Sequence, residues 1–180
     1  MLLVADSKRL QFELMSAKDA ELLFQLDQDP QVMRFINGGK CTTREEIAKV
    51  YVPRMESYSN PAKGWGIWKV CLKANGEFLG WVLVRPMDFF TDTPQYNNLE
   101  LGWRFHRKAW GQGYGTEAAQ AIANAVIGLG EAKWLTAIAL EDNHASIGIM
   151  KKLGMSYLKT GIHRDPLGDV EVVYYQCSVL

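Results

Sequence analysis

Three glycines at alternating positions mark the point where a strand-like apolar run gives way to an alanine-rich segment, in the stretch WGQGYGTEAA that begins at Trp110. Glycine has no Cβ, so it adopts positive φ angles and lets the backbone approach a ligand closely. A turn that opens a helix also leaves free N–H groups at the positive end of the helix dipole. We therefore expect the amides from Gln112 to Thr116 to hold an anion such as a phosphate. A tight strand-to-helix turn without a ligand is the alternative.

The spacing of these glycines differs from that of two common phosphate-binding motifs. A Walker A loop requires GxxxxGK followed by Ser or Thr. No Lys with a Ser or Thr after it directly follows Gly111, Gly113 or Gly115. A dinucleotide-binding fingerprint has the spacing GxGxxG in an early βαβ unit, whereas these glycines follow GxGxG past the middle of the chain. The spacing excludes a Walker A site and disfavours a nicotinamide dinucleotide.

Hydrophobic periodicity before the turn predicts a strand, two helical segments and a hairpin. RLQFELM alternates as a strand does, and the helical segment after it is capped by Ser16 and interrupted at Asp29–Pro30. Thr43 and Glu46 have the spacing of a capping box that opens the next helix. Asn75–Gly76 marks a hairpin between two strands, and TDTPQYNN reads as a loop before the strand LELGWRFH.

The pattern after the turn predicts a helix, a buried strand, a short helix and closing strands. The first helix runs from Thr116 to about Leu129, with Gly130 suited to its C-terminal end. KWLTAIAL has the apolar run of a buried strand, and NHASIGIMKKLG reads as a short helix. The whole order predicts a mixed α/β fold in which the strand–turn–helix–strand unit makes a right-handed crossover.

Length and composition are those of one globular domain, which we expect to span residues 1–180. The 20 basic side chains equal the 20 acidic ones, so overall charge gives no case for nucleic acid or an anionic membrane as partner. No apolar stretch approaches the roughly 20 residues that cross a bilayer, and the N-terminus lacks the pattern of a signal peptide. Three widely spaced cysteines without a zinc-site pattern predict a cytoplasmic protein that holds no metal.

Two segments together resemble the acetyl-CoA-binding core of the GNAT N-acetyltransferases. ELGWRFHRKAWGQGYGTEA, which begins at Glu100, is similar to the family pattern Gln/Arg-x-x-Gly-x-Gly/Ala except at its first position. NHASIGIMKKLGM, which begins at Asn143, resembles the second cofactor segment of the family. The form WGxGYGTEA is typical of the branch that includes the ribosomal-protein N-terminal alanine acetyltransferases. The opening KRLQFELMSAKDAELLFQLDQDPQVMRFI is similar to that branch too, so the resemblance covers nearly the whole chain.

The resemblance implies a single-domain GNAT fold, in which a mixed central sheet flanked by helices contains an antiparallel meander and a parallel strand pair around the acetyl-CoA site. The glycine turn would hold the CoA pyrophosphate, strand backbone would pair with the pantetheine arm, and Asn143 would hydrogen-bond the cofactor. Arg107 and Lys108 are candidates to reach a phosphate, with a solvated basic pair as the alternative. The residues assigned in this way to acetyl-CoA are Trp103, Arg104, Phe105, Trp110, Gly111, Gln112, Gly113, Tyr114, Gly115, Thr116 and Asn143.

Acetyl transfer to an amine requires a group that takes the amine proton and benefits from one that protonates the departing thiolate. Glu100 is the candidate base, because a carboxylate in an apolar strand beside the cofactor segment is partly desolvated and the branch often carries Glu there. An outward-facing Glu paired with Lys or Arg is the alternative. Many GNAT enzymes place a tyrosine acid where this chain has Met150, so Ser146 is the candidate donor, with a helix-cap role as its alternative.

The expected reaction is direct transfer from acetyl-CoA to a primary amine in a ternary complex. The acceptor is a small-molecule amine or a protein N-terminus, and the sequence does not separate the two. A Glu that the ribosomal-protein branch can carry after its KLGF segment is absent from KLGMSYLKTG, which weakens the case for a ribosomal-protein acceptor. A CoA-binding sensor without catalysis and a nucleotide-binding module stay open as other functions. A homodimer is expected by analogy alone.

Overall fold

Seven strands form one sheet in the computed structural model, which describes residues 1–179. The strands are β1 (Leu10–Leu14), β2 (Gly66–Leu72), β3 (Phe78–Met87), β4 (Gln95–Phe105), β5 (Trp134–Ala139), β6 (Ser156–His163) and β7 (Val170–Ser178). Their order across the sheet is β1-β2-β3-β4-β5-β7-β6. Neighbours are antiparallel except β4 and β5, which are parallel. The antiparallel meander and the single parallel pair confirm the predicted mixed α/β fold.

Helices lie on both faces of this sheet. They are α1 (Ala20–Leu26), α2 (Pro30–Asn37), α3 (Arg44–Glu46), α4 (Val52–Tyr58), α5 (Tyr114–Ile127) and α6 (His144–Lys152). A π-helical segment, Ile47–Tyr51, connects α3 directly to α4. Ser16 caps the short turn before α1, Asp29 caps α2, and Thr43 with Glu46 forms a capping box at α3. The predicted starts of these helical segments are therefore confirmed.

The alternation of side chains along each strand gives the two faces different packing partners. On β3, Val82 and Val84 pack in the main core with Ile122 and Val126 of α5. Leu83 belongs to a second core on the opposite face, which α1 and α4 cover. Burial of each large aliphatic side chain contributes about 1.5–3 kcal/mol. The sheet is thus held between α5 on one face and the N-terminal helices on the other.

Strand β4 divides its side chains between these two faces. Leu101 and Phe105 belong to the main core, together with the partly buried Trp103. Glu100 and Arg104 lie on the other face, where they contact residues of β3 and of the segment after α1. This alternation separates the predicted site residues into a set near the glycine turn and a set beneath the N-terminal helices.

Strands β4 and β5 are paired over three residues only. The pairing ends at Glu100 and Thr136, although β4 continues to Phe105 alongside β3. From Leu101 onward, the edge of β4 that faces β5 has no strand partner among the described residues. Backbone groups on that edge need another partner, and an extended ligand can supply it. The parallel pair therefore opens into a cleft at its C-terminal end.

Two boundaries differ from the sequence prediction. TDTPQYNN was expected to be a loop throughout, but its second half belongs to β4, since Gln95 pairs with Met87 and Asn98 pairs with Trp134. Asn98 Oδ1 also accepts a 2.7 Å hydrogen bond from Thr136 Oγ1. Pairing on both sides outweighs the low strand propensity of these polar residues. Helix α5 likewise begins before Thr116, because the glycine turn already adopts helical geometry at Tyr114.

Candidate active site

A cavity of about 390 Å³ lies between α2, the end of β4, the glycine turn and α6. We call it the donor cavity. Gln112 does not line it, and α2 supplies a wall of Val32, Phe35 and Ile36 that the sequence did not predict. The lining includes these residues that the resemblance assigned to acetyl-CoA, together with the candidate acid: Trp103, Arg104, Phe105, Trp110, Gly111, Gly113, Tyr114, Gly115, Thr116, Asn143 and Ser146.

The glycine turn holds its backbone in a conformation that favours glycine. Gly111 and Gly113 have φ angles of 71° and 80°, and Gly113 is the N-cap residue of the 14-residue helix α5. Within residues 1–179, the amides of Gly111, Gln112 and Gly113 have no backbone or side-chain acceptor. The amides of the first turn of α5 have no partner inside the helix. The turn thus presents successive free N–H groups at the positive end of a helix dipole.

Gly115 is required for a different reason, namely close packing. A Cβ on Gly115 would lie 2.9 Å from Ile149 Cδ1 and 3.6 Å from Phe105 Cε2. The first distance is too short for two carbon atoms, so the end of the Ile149 side chain would have to move, whereas the second is an ordinary contact. The absence of a side chain lets α5 start close to α6 and to the end of β4, which draws together three sides of the donor cavity.

Arg9 supports the glycine turn from the N-terminal segment. Its Nη1 donates a 2.9 Å hydrogen bond to the carbonyl of Gln112, and its guanidinium lies 4.2 Å from the ring centre of Tyr114. Glu117 holds Arg9 in place by accepting from both its amide and its Nε, at 2.8 Å and 2.7 Å. Burial would raise the pKa of Glu117, but hydrogen bonds from Ser7 and Arg9 lower it. Glu117 therefore acts as a structural carboxylate, and no local sequence pattern identified Arg9 as its partner.

The basic pair after β4 is engaged with carboxylates. Arg107 Nε lies 2.9 Å from Asp29 Oδ2, and Lys108 forms an ion pair with Glu77. Both cations are more than half exposed, so these pairs are weak and can exchange for another anion. Lys152 lines the donor cavity itself, as does Arg104. The sequence did not single out Lys152.

Ser146 and Trp103 form a polar contact on the wall of the donor cavity. Trp103 Nε1 donates a 3.1 Å hydrogen bond to Ser146 Oγ, so the hydroxyl proton of Ser146 remains available to donate. Asn143 is the N-cap of α6, and its Oδ1 accepts from the Ser146 amide at 3.2 Å. Met150 is fully buried in the main core and does not line the cavity. The position that carries tyrosine in many GNAT enzymes therefore lies in the core of this chain.

Glu100 is buried and paired with Arg85. Its carboxylate accepts from Arg85 Nε at 2.7 Å and from Arg85 Nη2 at 3.2 Å, and 4% of the residue is exposed. Burial alone would lower the pKa of Arg85, but the charge and hydrogen bonds of Glu100 raise it instead. Arg85 lines a second cavity, whereas Glu100 lines neither this cavity nor the donor cavity. Glu100 is therefore paired with an arginine but does not face outward, and its assignment as the base stays a prediction.

The second cavity, of about 300 Å³, lies on the face of the sheet covered by the N-terminal helices. We call it the acceptor cavity. Ile36 and Arg104 line both cavities, so the two adjoin along β4. Its lining comes from α1, α2, the π-helical segment, α4, the first strands and the loop between β6 and β7: Leu23, Asp27, Ile36, Asn37, Ile47, Tyr51, Arg54, Tyr58, Ile67, Trp81, Leu83, Arg85, Arg104 and Leu167.

Asp27 is the only carboxylate in the lining of the acceptor cavity given by residues 1–179. Its Oδ1 accepts from Arg104 Nη1 at 2.7 Å, and its Oδ2 accepts from Thr42 Oγ1 at 2.5 Å. Arg54 is paired with Asp165, which does not line the cavity. Burial raises the pKa of Tyr58 to about 12, so its hydroxyl is protonated at neutral pH. No signal in the sequence singled out Asp27, Arg54 or Tyr58, because they come together from separate segments.

The chain also matches a known family along most of its length. The family described as acetyltransferase (GNAT) domain matches residues 9–156. The chain belongs to the GNAT acetyltransferase family. YkkB of Bacillus subtilis, an uncharacterised protein, is 36% identical over 159 residues, which are 84% of each chain. FsC-acetyl coenzyme A-N(2)-transacetylase of Aspergillus fumigatus is 30% identical over 158 residues, which cover 84% of this GNAT chain and 64% of the fungal one.

Two solved GNAT structures share the fold at low sequence identity. RimL, a ribosomal L7/L12 alpha-N-protein acetyltransferase in complex with coenzyme A, has a TM-score of 0.77 and 14% identity over 98% of this chain and 97% of its own. The aminoglycoside acetyltransferase AAC(6')-Ib in complex with coenzyme A has a TM-score of 0.74 and 16% identity over 94% of both chains. They confirm the GNAT fold predicted from the glycine turn and the second cofactor segment.

The described part of the chain contains neither a metal-binding group of side chains nor a membrane-spanning helix. No group of three or more His, Cys, Asp and Glu side chains within residues 1–179 is arranged to hold a metal ion. Over the same residues, each helix is too short or too polar to span a bilayer.

Proposed function

We propose that this protein is an acetyl-CoA-dependent N-acetyltransferase that passes the acetyl group directly to a primary amine in a ternary complex. The observation that carries the proposal is the junction of the donor and acceptor cavities along β4, where Ile36 and Arg104 line both. A thioester in one cavity and an amine in the other would meet at this junction, so the acetyl group need not pass through a covalent acyl-enzyme.

The residues of the donor cavity fit acetyl-CoA. The free amides around Gly111 and Gly113 would bind the pyrophosphate, as anions bind at helix N-termini. The unpaired edge of β4 from Leu101 to Phe105 would hydrogen-bond the amides of the pantetheine arm. Bound acetyl-CoA supplies an activated acetyl group and a thiolate leaving group. The RimL and AAC(6')-Ib structures, which are both complexes with coenzyme A, support this assignment.

Ser146 would donate its proton toward the sulfur of the leaving group. The Trp103 indole occupies an acceptor site of the Ser146 oxygen, and this contact orients the hydroxyl on the cavity wall. A hydrogen bond to developing negative charge is stronger than one to a neutral group, so the effect is larger in the transition state than in the ground state. Ser146 thus takes the role that tyrosine has in many GNAT enzymes.

Two carboxylates are candidates to receive the amine proton. Glu100, predicted from the sequence, would act from behind Arg85 at the base of the acceptor cavity. Asp27 lines the cavity and lies next to Arg104 at the junction with the donor cavity. We retain Glu100 as the proposed base because it stands in β4 immediately before the edge that would bind the thioester arm. Substitution of each carboxylate distinguishes the two.

We also propose a cytoplasmic location. Cys41, Cys71 and Cys177 are all free, as is usual in a reducing compartment. Burial raises the pKa of the Cys71 and Cys177 thiols, which keeps them protonated and unreactive at neutral pH.

Calorimetric titration tests the donor site first. Acetyl-CoA and CoA should bind with similar affinity, because both carry the pyrophosphate and the pantetheine arm. ATP and NADPH should bind at least about tenfold more weakly, since neither supplies an amide-bearing arm for the open edge of β4, and each hydrogen bond lost there is worth about 1 kcal/mol. Tight binding of ATP or NADPH without CoA binding would replace the proposal with a nucleotide-binding module. CoA binding without thiol release across a broad amine panel would favour a sensor.

Ser146→Ala should lower kcat by about tenfold to a hundredfold, the range expected for the loss of a hydrogen bond to a charged group. The KM for acetyl-CoA should change little, since the hydroxyl acts on the leaving group and not on the phosphates. Release of CoA thiol under saturating substrate measures the effect. Ser156→Ala on the exposed start of β6 is the matched control. An unchanged kcat in Ser146→Ala would leave the hydroxyl with its contact to Trp103 alone.

A further inference from the structure

We infer that the acceptor cavity binds a small amine that also carries an anionic group, and that a free amino acid with an apolar side chain is the class that fits it. The inference rests on the proposed acetyl transfer and names its acceptor. It depends on three features of the cavity lining. These are the charged side chains, the hydrogen-bond donors that have no acceptor within residues 1–179, and the apolar side chains around those donors.

The charged lining of the acceptor cavity is mainly cationic. Arg54, Arg85 and Arg104 line it together with one carboxylate, Asp27. Asp27 already accepts from Arg104 Nη1 and from a threonine hydroxyl, one on each carboxylate oxygen. The carboxylates that pair with Arg54 and Arg85 do not line the cavity. An amine with several positive charges would meet guanidinium groups and no unoccupied carboxylate, which opposes its binding.

The guanidinium groups in this lining keep donors that the protein does not use. Arg85 donates to Glu100 through Nε and Nη2, which leaves Nη1 without an acceptor among residues 1–179, although the side chain is only 8% exposed. Arg104 donates to Asp27 through Nη1, and its Nε is buried with no acceptor in the described chain. Arg85 lines the cavity, so an anion bound there can accept from its Nη1, and a hydrogen bond to a charged group is stronger than one between neutral groups. Carboxylates and phosphonates match this donor geometry.

Tyr58 adds a neutral donor to the same group. It is 5% exposed, lines the cavity, and its hydroxyl has no hydrogen-bond partner in residues 1–179. Its ring centre lies 5.4 Å from Arg85 Cζ, and the ring centre of Phe90 lies 5.4 Å from Arg85 Cζ and 3.9 Å from Arg54 Cζ. The hydroxyl and the guanidinium groups thus point to one site for an anionic group inside the cavity.

The remaining lining sets the size and polarity of the acceptor. Apart from Asn37, it is formed by aliphatic and aromatic side chains: Leu23, Ile36, Ile47, Tyr51, Ile67, Trp81, Leu83 and Leu167. The volume of about 300 Å³ is at the lower end of small-molecule pockets. Such a cavity suits one short apolar side chain with an amine and an anion. Its one carboxylate within residues 1–179, Asp27, is already engaged, so a polycationic sugar would find no free carboxylate there.

A matched acceptor panel tests this inference. The panel contains leucine, methionine and phenylalanine, their amides, their decarboxylated amines, the aminophosphonate analogue of leucine, and kanamycin. The amide also represents a peptide N-terminus, whose amine has a pKa of about 8 and is intrinsically easier to deprotonate. We expect kcat/KM for the amino acids to exceed that for their amides and amines by at least about tenfold, from one hydrogen-bonded charge. A comparable rate with the aminophosphonate would show that the site recognises anions in general.

The panel separates failure of this inference from failure of the proposed function. Higher kcat/KM for the amides, the decarboxylated amines or kanamycin than for the amino acids would overturn the inference and leave an acetyltransferase. CoA binding without thiol release from any member would overturn both. Product inhibition by N-acetylleucine, measured against its amide, gives a second readout that does not depend on the chemical step.

Tyr58→Phe tests whether the preference arises in this cavity. The substitution removes a hydroxyl that has no hydrogen-bond partner within residues 1–179, so the fold should persist. The ratio of kcat/KM for leucine to that for leucinamide should fall by about tenfold. Tyr96→Phe is the control, because Tyr96 is 59% exposed and stacks on Trp65 outside the cavity. An unchanged ratio in Tyr58→Phe would place the anion elsewhere and overturn the assignment.

Discussion

Gly113→Val is expected to weaken CoA binding by about a hundredfold or more, which corresponds to about 2.8 kcal/mol. Gly113 has a φ of 80° at the N-cap of α5, and a β-branched side chain is strained there by about 1–3 kcal/mol. The backbone would relieve the strain by leaving the left-handed region, which turns the free amides of the glycine turn away from the phosphates. Calorimetric titration with CoA measures the loss directly.

Gly130→Val is the matched control for backbone strain. Gly130 has a φ of 73°, and a Cβ added there meets no atom within 4 Å. It follows the other end of α5, so both variants should lose thermal stability while only Gly113→Val loses CoA affinity. Equal losses of affinity in the two variants would show that strain, and not the position of the amides, controls binding.

Glu100→Gln should lower kcat by about a hundredfold or more, as expected for loss of a general base. The affinity for acetyl-CoA should be nearly unchanged, because Glu100 does not line the donor cavity. The variant should also melt at a lower temperature, since removal of one partner from a buried ion pair costs up to about 3–5 kcal/mol. Initial rates of CoA thiol release at saturating acetyl-CoA measure the loss.

Arg85→Met distinguishes the catalytic effect from the structural one. It breaks the same ion pair and keeps the Glu100 carboxyl group, so it should lose comparable stability while kcat falls less than in Glu100→Gln. Asp27→Asn provides the second comparison, because Asp27 is the other carboxylate at the junction of the cavities. If kcat is nearly unchanged in Glu100→Gln and falls by about a hundredfold in Asp27→Asn, Asp27 is the base and Glu100 supports Arg85.

Two continuous segments of the sequence identified most of the donor cavity. They contain the glycines, the residues from Trp103 to Phe105, Asn143 and Ser146, and they resemble the two cofactor segments of the GNAT family. The acceptor cavity differs, because Asp27, Tyr58 and Arg104 come from separate segments and meet only when the N-terminal helices cover the sheet. No periodicity in the sequence predicts that these residues lie together.

The sequence by itself determined the order of strands and helices, the capped starts of the N-terminal helices and the place of the glycine turn. These features depend on interactions within a few residues, such as the capping pair Thr43 and Glu46 or the absence of a Cβ at Gly113. Tertiary structure decided the partner of Glu100, the separation of β4 from β5 and the charge of the acceptor cavity. Those depend on which side chains meet across the sheet, because the energy of a buried ion pair is fixed by residues distant in sequence.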